Sequence, residues 1–168
     1  MRNSAVVKVA RFAGLLFAGI FAGFLVGVLV LETSLRDYDR YVYAQLRKVE
    51  LDALDVLASV TLIPALLAVA VLVISAFRAK GPALWLPLAA FALLLVVFVT
   101  TLVVNLPING DQADWDVQAP PSDWADVRDR WQTAHVVRTV AAVFAFGLLA
   151  VSALRKSPPA PAALPPST

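Results

Sequence analysis

The chain has 168 residues, 60% of them hydrophobic and only 15% charged, with a net charge of +2. A soluble domain carries about a quarter charged residues, and here the apolar residues fall in long blocks, so a soluble globule is excluded, as is a basic face for nucleic acid. The absence of cysteine excludes disulfides, thiolate metal sites and cysteine nucleophiles.

Four blocks reach the roughly 20 residues needed to cross a hydrocarbon core. They are residues 12–31, 56–77, 83–104 and 134–154. The predicted fold is all-α, an integral membrane four-helix bundle over residues 1–156, with the lipid bilayer as its partner. The first block follows Arg2, Lys8 and Arg11, as a signal sequence would. Its apolar core is too long for a signal peptide and no small-x-small cleavage site follows, so it is expected to remain as a helix. Gly19, Gly23 and Gly27 recur on one face of it, where a neighbouring backbone can approach closely. The same face is compatible with a homo-oligomer or a partner in a membrane complex. Glu32 ends this helix.

The second helix is predicted to begin before the membrane. Tyr41, Gln45, Lys48, Asp52, Asp55 and Ser59 alternate at spacings of four and three, a polar face running into the outer part of the span. Pro64 lies deep enough to kink this helix, whereas Pro87 lies near the start of the third and is expected to be harmless. A tight turn through Arg78, Lys80 and Pro82 joins the two. The third helix leaves through Thr101, Asn105 and Asn109, around Pro107.

The third connection is expected to be partly helical. Asp123 or Ser122 is the predicted N-cap of the last helix. Asp126 and Arg130 are spaced for a minor helical pair. Trp124, Arg128, Trp131, His135 and Arg138 follow at spacings of four, three, four and three, one continuous face that enters the membrane still cationic. The tail at 157–168 is proline-rich and expected to be disordered.

Basic residues without acids flank the N-terminus, the second connection and the end of the last span. Such segments mark the cytoplasmic side, which predicts cytoplasmic termini, an extracytoplasmic third connection and a multi-pass protein of the cell membrane. All four helices then carry their polar residues at the outward end. Lipid cannot satisfy such groups, so they should converge on a pocket lined by Glu32, Asp55, Ser59, Thr101, Asn105, Asn109, His135 and Arg138. Trp115, Trp124 and Trp131 would be its walls or lid. Each group also has a plainer role. Arg138 can snorkel outward or pair with Asp55 or Glu32, His135 can be a hydrogen-bonded packing residue, and tryptophans gather at membrane interfaces for amphipathic reasons alone. With one histidine and no cysteine, no metal site is expected. No glycine-rich phosphate loop and no nucleophile elbow is present.

The third connection carries a recognisable pattern. Asn105-Leu-Pro-Ile-Asn109, then Trp115, then Asp123-Trp124, Arg128-Asp129-Arg130-Trp131 and His135-Val-Val-Arg138-Thr139 resemble the signature of the anthrone-oxygenase-like family of small four-helix membrane proteins. The glycine-rich first helix followed by Leu-Glu-Thr-Ser-Leu fits as well. The resemblance implies oxidation of anthrones to anthraquinones without metal or flavin, hence no cofactor and a lipophilic aromatic small molecule as ligand. In that reading His135 is the base that removes an acidic C–H proton. Arg138 and Asn105 stabilise the developing oxyanion, Asp55 or Glu32 orients His135 or balances Arg138, and the tryptophans stack on the flat substrate. The alternative is a non-catalytic accessory subunit, or a binder of a lipid or quinone-like molecule.

Overall fold

The computed structural model describes residues 2–79 and 84–155. The predicted turn at Lys80 and Pro82, the Lys156 flank and the tail at 157–168 lie outside the described residues. Helix α1 spans Arg2–Ser34 and ends in a 3₁₀ turn, Leu35–Asp37. Helix α2 spans Arg40–Arg78 and α3 spans Trp85–Thr100. A π turn at Thr101–Asn105 leads into α4, Leu106–Ala113, and α5 spans Trp124–Leu154. Four helical stretches are long and apolar enough to cross a membrane, with α3, the π turn and α4 forming one of them. The protein is an all-α membrane bundle, with no strand among the described residues.

Helix α2 does start well before its apolar block. Asp39 caps it, Oδ1 accepting from the backbone N–H groups of Tyr41 and Val42 at 2.9 and 3.0 Å. It runs unbroken through Pro64. Asp123 occupies the N-cap of α5, but its side chain makes no capping bond. Asp126 and Arg130 form no ion pair; Asp129 instead pairs with Arg36 at 2.8 Å, joining the start of α5 to the end of α1.

Around the bundle α1 neighbours α2 and α5, and α3 neighbours α5 and α2, with the α2–α3 seam the most open. The half of the bundle nearer the termini is plain apolar packing. Ala18, Phe21, Leu25, Ala65, Val69, Leu94, Val97, Ala142 and Ala145 form its core. So many alanines let the backbones come close, which is how helices associate where lipid provides no hydrophobic drive. Large apolar side chains point outward at the same depth, among them Val60, Ile63, Leu67, Val99, Val140 and Phe144. That inversion suits hydrocarbon surroundings. Of the glycine stripe only Gly19 meets a neighbour, the ring of Phe146; Gly23 and Gly27 face open space. The stripe is therefore not a packing seam within the bundle.

The opposite end has its own cluster of Val28, Leu35, Tyr43, Ala44, Ile108, Trp115, Val127 and Trp131. This second cluster roofs a layer of buried polar side chains.

Candidate functional site

The buried face of α2 is not the one its acids and serine suggest. Tyr41, Gln45, Asp52, Asp55 and Ser59 are exposed and Lys48 is half-buried. Tyr43, Ala44, Arg47 and Glu50 turn inward. Arg47 is the centre of the polar layer and is 2% exposed. Its Nε donates to Gln112 Oε1 at 2.9 Å and its Nη2 to Asn109 Oδ1 at 3.0 Å. Its Nη1 donates to Glu50 Oε2 at 2.5 Å and to Glu32 Oε1 at 3.2 Å. The guanidinium carbon stands 4.3 Å from the centre of the Trp131 ring, a cation–π contact. Sequence reasoning passed over Arg47 and Glu50. The signal was there: extending the apolar stripe Ala68, Ala65, Thr61, Ala58, Leu54 toward the N-terminus lands on Glu50, Arg47 and Tyr43.

Glu32 has no exposed surface. Its Oε2 accepts from Gln132 Nε2 at 2.9 Å, and the same amide donates to the Glu32 carbonyl at 2.7 Å. Its cationic partner is thus Arg47, and it neither orients His135 nor pairs with Arg138.

Trp131 Nε1 donates to Asn109 Oδ1 at 2.7 Å, and the Trp131 ring stacks on His135 with centroids 4.8 Å apart and planes 9° from parallel. His135 Nε2 lies 3.0 Å from the Leu25 carbonyl oxygen. A carbonyl oxygen only accepts, so Nε2 carries the proton and Nδ1 keeps a bare lone pair. His135 Nδ1 is buried and has no partner. A backbone carbonyl of α1, rather than Asp55 or Glu32, therefore orients the imidazole.

Arg138, one turn further along α5, is 5% exposed. Its Nε is buried without a partner, and no ion pair within 4.0 Å involves it among the described residues. It does not snorkel outward.

His135 and Arg138 line a cavity of about 110 Å³ together with Arg47, Glu50, Asp55, Ser59, Thr101, Asn109 and Trp131. Phe24, Leu25, Val28, Leu51, Leu54 and Ala58 supply apolar wall. Asp55, Ser59 and Leu106 are exposed at its α2–α3 side, so the opening is lateral. Asp55 Oδ1 accepts from Asn109 Nδ2 at 3.3 Å. The hydroxyls of Ser59 and Thr101 are spent on the carbonyls of Asp55 and Val97 in their own helices.

Four predicted pocket residues stand elsewhere, the first being Glu32, which is held in the Arg47 network and does not line the cavity. Asn105 is fully buried, but it lies behind the cavity, with Nδ2 donating to the Trp131 carbonyl at 3.3 Å and Oδ1 unpartnered. Trp115 and Trp124 pack against Tyr43, at ring distances of 6.4 and 5.6 Å, and do not line the cavity. Among the described residues no group of three His, Asp or Glu side chains is placed to hold a metal ion.

An imidazole with one unpartnered nitrogen and a guanidinium outside any ion pair within 4.0 Å among the described residues, both lining one largely apolar chamber, suit abstraction of a proton from a lipophilic acid. A family model described as anthrone oxygenase matches residues 56–148, more than half of the chain. The chain belongs to the anthrone oxygenase family. No curated protein and no solved structure matches it. The stretch matched to the anthrone oxygenase model includes Asn105, Asn109, Trp131, His135 and Arg138. Glu32, Arg47, Glu50 and Asp55 lie before it.

Proposed function

We propose that this anthrone oxygenase family member oxidises an anthrone-type substrate with dioxygen, using His135 as base and Arg138 as the cation that receives the developing oxyanion. The observation that carries this reading is the unpartnered Nδ1 of His135, in a ring whose other nitrogen is fixed on the Leu25 carbonyl. The methylene opposite the carbonyl of an anthrone is acidic because its anion is an aromatic phenolate. His135 Nδ1 takes one methylene proton, and negative charge gathers on the substrate oxygen. A fixed guanidinium in a dry chamber stabilises that charge far better than water-screened charge would. Arg138 makes no ion pair within 4.0 Å among the described residues and keeps its donors for this oxygen, with Asp55 as the carboxylate that shares its cavity.

The carbanion then passes one electron to dioxygen, and the resulting radical pair closes a carbon–oxygen bond. The imidazolium returns its proton to give the hydroperoxide. Loss of the second methylene hydrogen with cleavage of the O–O bond releases water and leaves the quinone. One anthrone and one dioxygen thus yield one anthraquinone and one water. Base, cation and dioxygen suffice for each step.

The chamber is smaller than the roughly 300–1,000 Å³ of typical ligand pockets. A tricyclic substrate therefore seats its reacting edge inside and leaves its remaining rings in the lateral mouth between α2 and α3. Such a mouth admits a bilayer-dissolved molecule directly. The distribution of Lys and Arg supports a cavity end on the non-cytoplasmic side.

The test uses the purified protein in lipid nanodiscs with anthrone, in the presence of a chelator. Quinone formation and oxygen uptake are compared with autoxidation in empty nanodiscs. The expected result is acceleration with one oxygen consumed per quinone, slowed when the methylene is deuterated. A rate equal to the empty nanodiscs would dismiss the proposal.

A further inference from the structure

The polar layer at the cavity wall is built around one residue, Arg47, that lies outside the stretch matched to the family model. We infer that Arg47 is the positioning residue of this site, holding the Trp131 ring flat on His135 and so fixing the plane in which Nδ1 meets substrate. In turnover the inference rests on the oxygenase reading; in geometry it stands alone.

Two independent contacts tie Arg47 to Trp131. One is direct, the guanidinium 4.3 Å from the ring centre. The other runs through Asn109, whose Oδ1 accepts both Arg47 Nη2 at 3.0 Å and Trp131 Nε1 at 2.7 Å. With Asn109 Nδ2 donating to Asp55, every polar atom of that amide is committed, and the indole cannot rotate without breaking the set. The stack on His135 at 9° is then determined from above by Trp131 and at the side by the Leu25 carbonyl. Arg47 is held in turn by Glu32, Glu50 and Gln112, so its planar fork has a partner in each direction. A lysine keeps the charge between the two glutamates but cannot reach Asn109 and Gln112 at once, because an ammonium is a compact point charge without a fork.

That difference separates positioning from folding. Arg47→Met leaves two buried carboxylates without their cation and is apt to fail as a fold; Arg47→Lys keeps them compensated and is the decisive variant. Its Trp131 emission is isolated as the difference from the same protein carrying Trp131→Phe, since the chain has four tryptophans. For folded Arg47→Lys in nanodiscs, kcat for anthrone should fall by about 10- to 100-fold, the scale of a small misplacement of reacting groups. KM should stay within about threefold of wild type, since the apolar walls that bind substrate are untouched, and Trp131 emission should shift. Wild-type kcat together with unchanged Trp131 emission would overturn the inference, as would a loss confined to KM. If the wild-type protein does not accelerate anthrone oxidation at all, the oxygenase reading falls. The emission difference then decides Arg47 by itself, a shift upholding its hold on Trp131 and no shift removing it.

Discussion

Replacing His135 by glutamine is expected to lower kcat for anthrone by about 10²–10⁴-fold, the usual worth of a positioned general base, while the protein stays folded. A glutamine amide can still donate to the Leu25 carbonyl and fill much of the ring's volume, so the contact that fixes the side chain survives. What disappears is the lone pair of Nδ1. Because His135 makes no ion pair, no charge is left uncompensated in the bundle. Steady-state rates beside thermal melts followed by circular dichroism separate the two effects. A folded glutamine variant with kcat within about threefold of wild type would remove His135 from the chemistry.

The second large effect concerns stability. Glu32→Ala is expected to cost about 3–5 kcal/mol, because removing one member of a buried ion pair strands the other. Glu32 is fully enclosed, its Oε1 accepts from Arg47 at 3.2 Å, and its Oε2 from Gln132 at 2.9 Å. Glu50 remains to face Arg47, which places the loss toward the lower end of that range. Arg36→Ala breaks a pair whose side chains are 46% and 49% exposed. It should cost only about 0–1 kcal/mol from the ion pair itself. Denaturant unfolding in detergent micelles measures both. Equal losses for the two variants would show that burial does not set the worth of the Glu32 contact.

The membrane architecture was legible because hydrocarbon imposes a length and a composition that few other environments require. Apolar blocks near 20 residues read directly as spans; three lie within α1, α2 and α5, and the third block in chain order runs through α3 into the π turn. The stripe on α5 was legible for the same reason. Polar side chains at membrane depth have to face protein, and Trp131, His135 and Arg138 do so. The misreading of α2 has a physical cause. Its first four turns stand outside the apolar block, where charged residues on any face are tolerated by water, so periodicity there does not reveal which face is buried. Asp52, Asp55 and Ser59 made one plausible stripe; Glu50, Arg47 and Tyr43 made the buried one.

Asn105 went astray through backbone geometry. A regular helix would drive the Pro107 ring into the carbonyl of Val103. The chain widens instead, and Leu106 N–H reaches back five residues to the Thr101 carbonyl. One π turn shifts the register of everything beyond it, as such turns often do at functional sites. Spacing counted on a regular helix therefore could not say that Asn105 would sit behind Trp131 while Asn109 reached the cavity. Trp115 and Trp124 belong to the roof over Tyr43, a role that interface aromatics fill without touching the chamber.

The chain contains a single histidine, so protein grown with ¹⁵N-labelled histidine gives one pair of imidazole nitrogen signals, without assignment. Spectra in nanodiscs at neutral pH should show a neutral ring with hydrogen on Nε2 and a pyridine-type, unprotonated Nδ1. A ring protonated on Nδ1, or a doubly protonated imidazolium, would leave no lone pair on Nδ1 and would refute the base on which the whole site has been built.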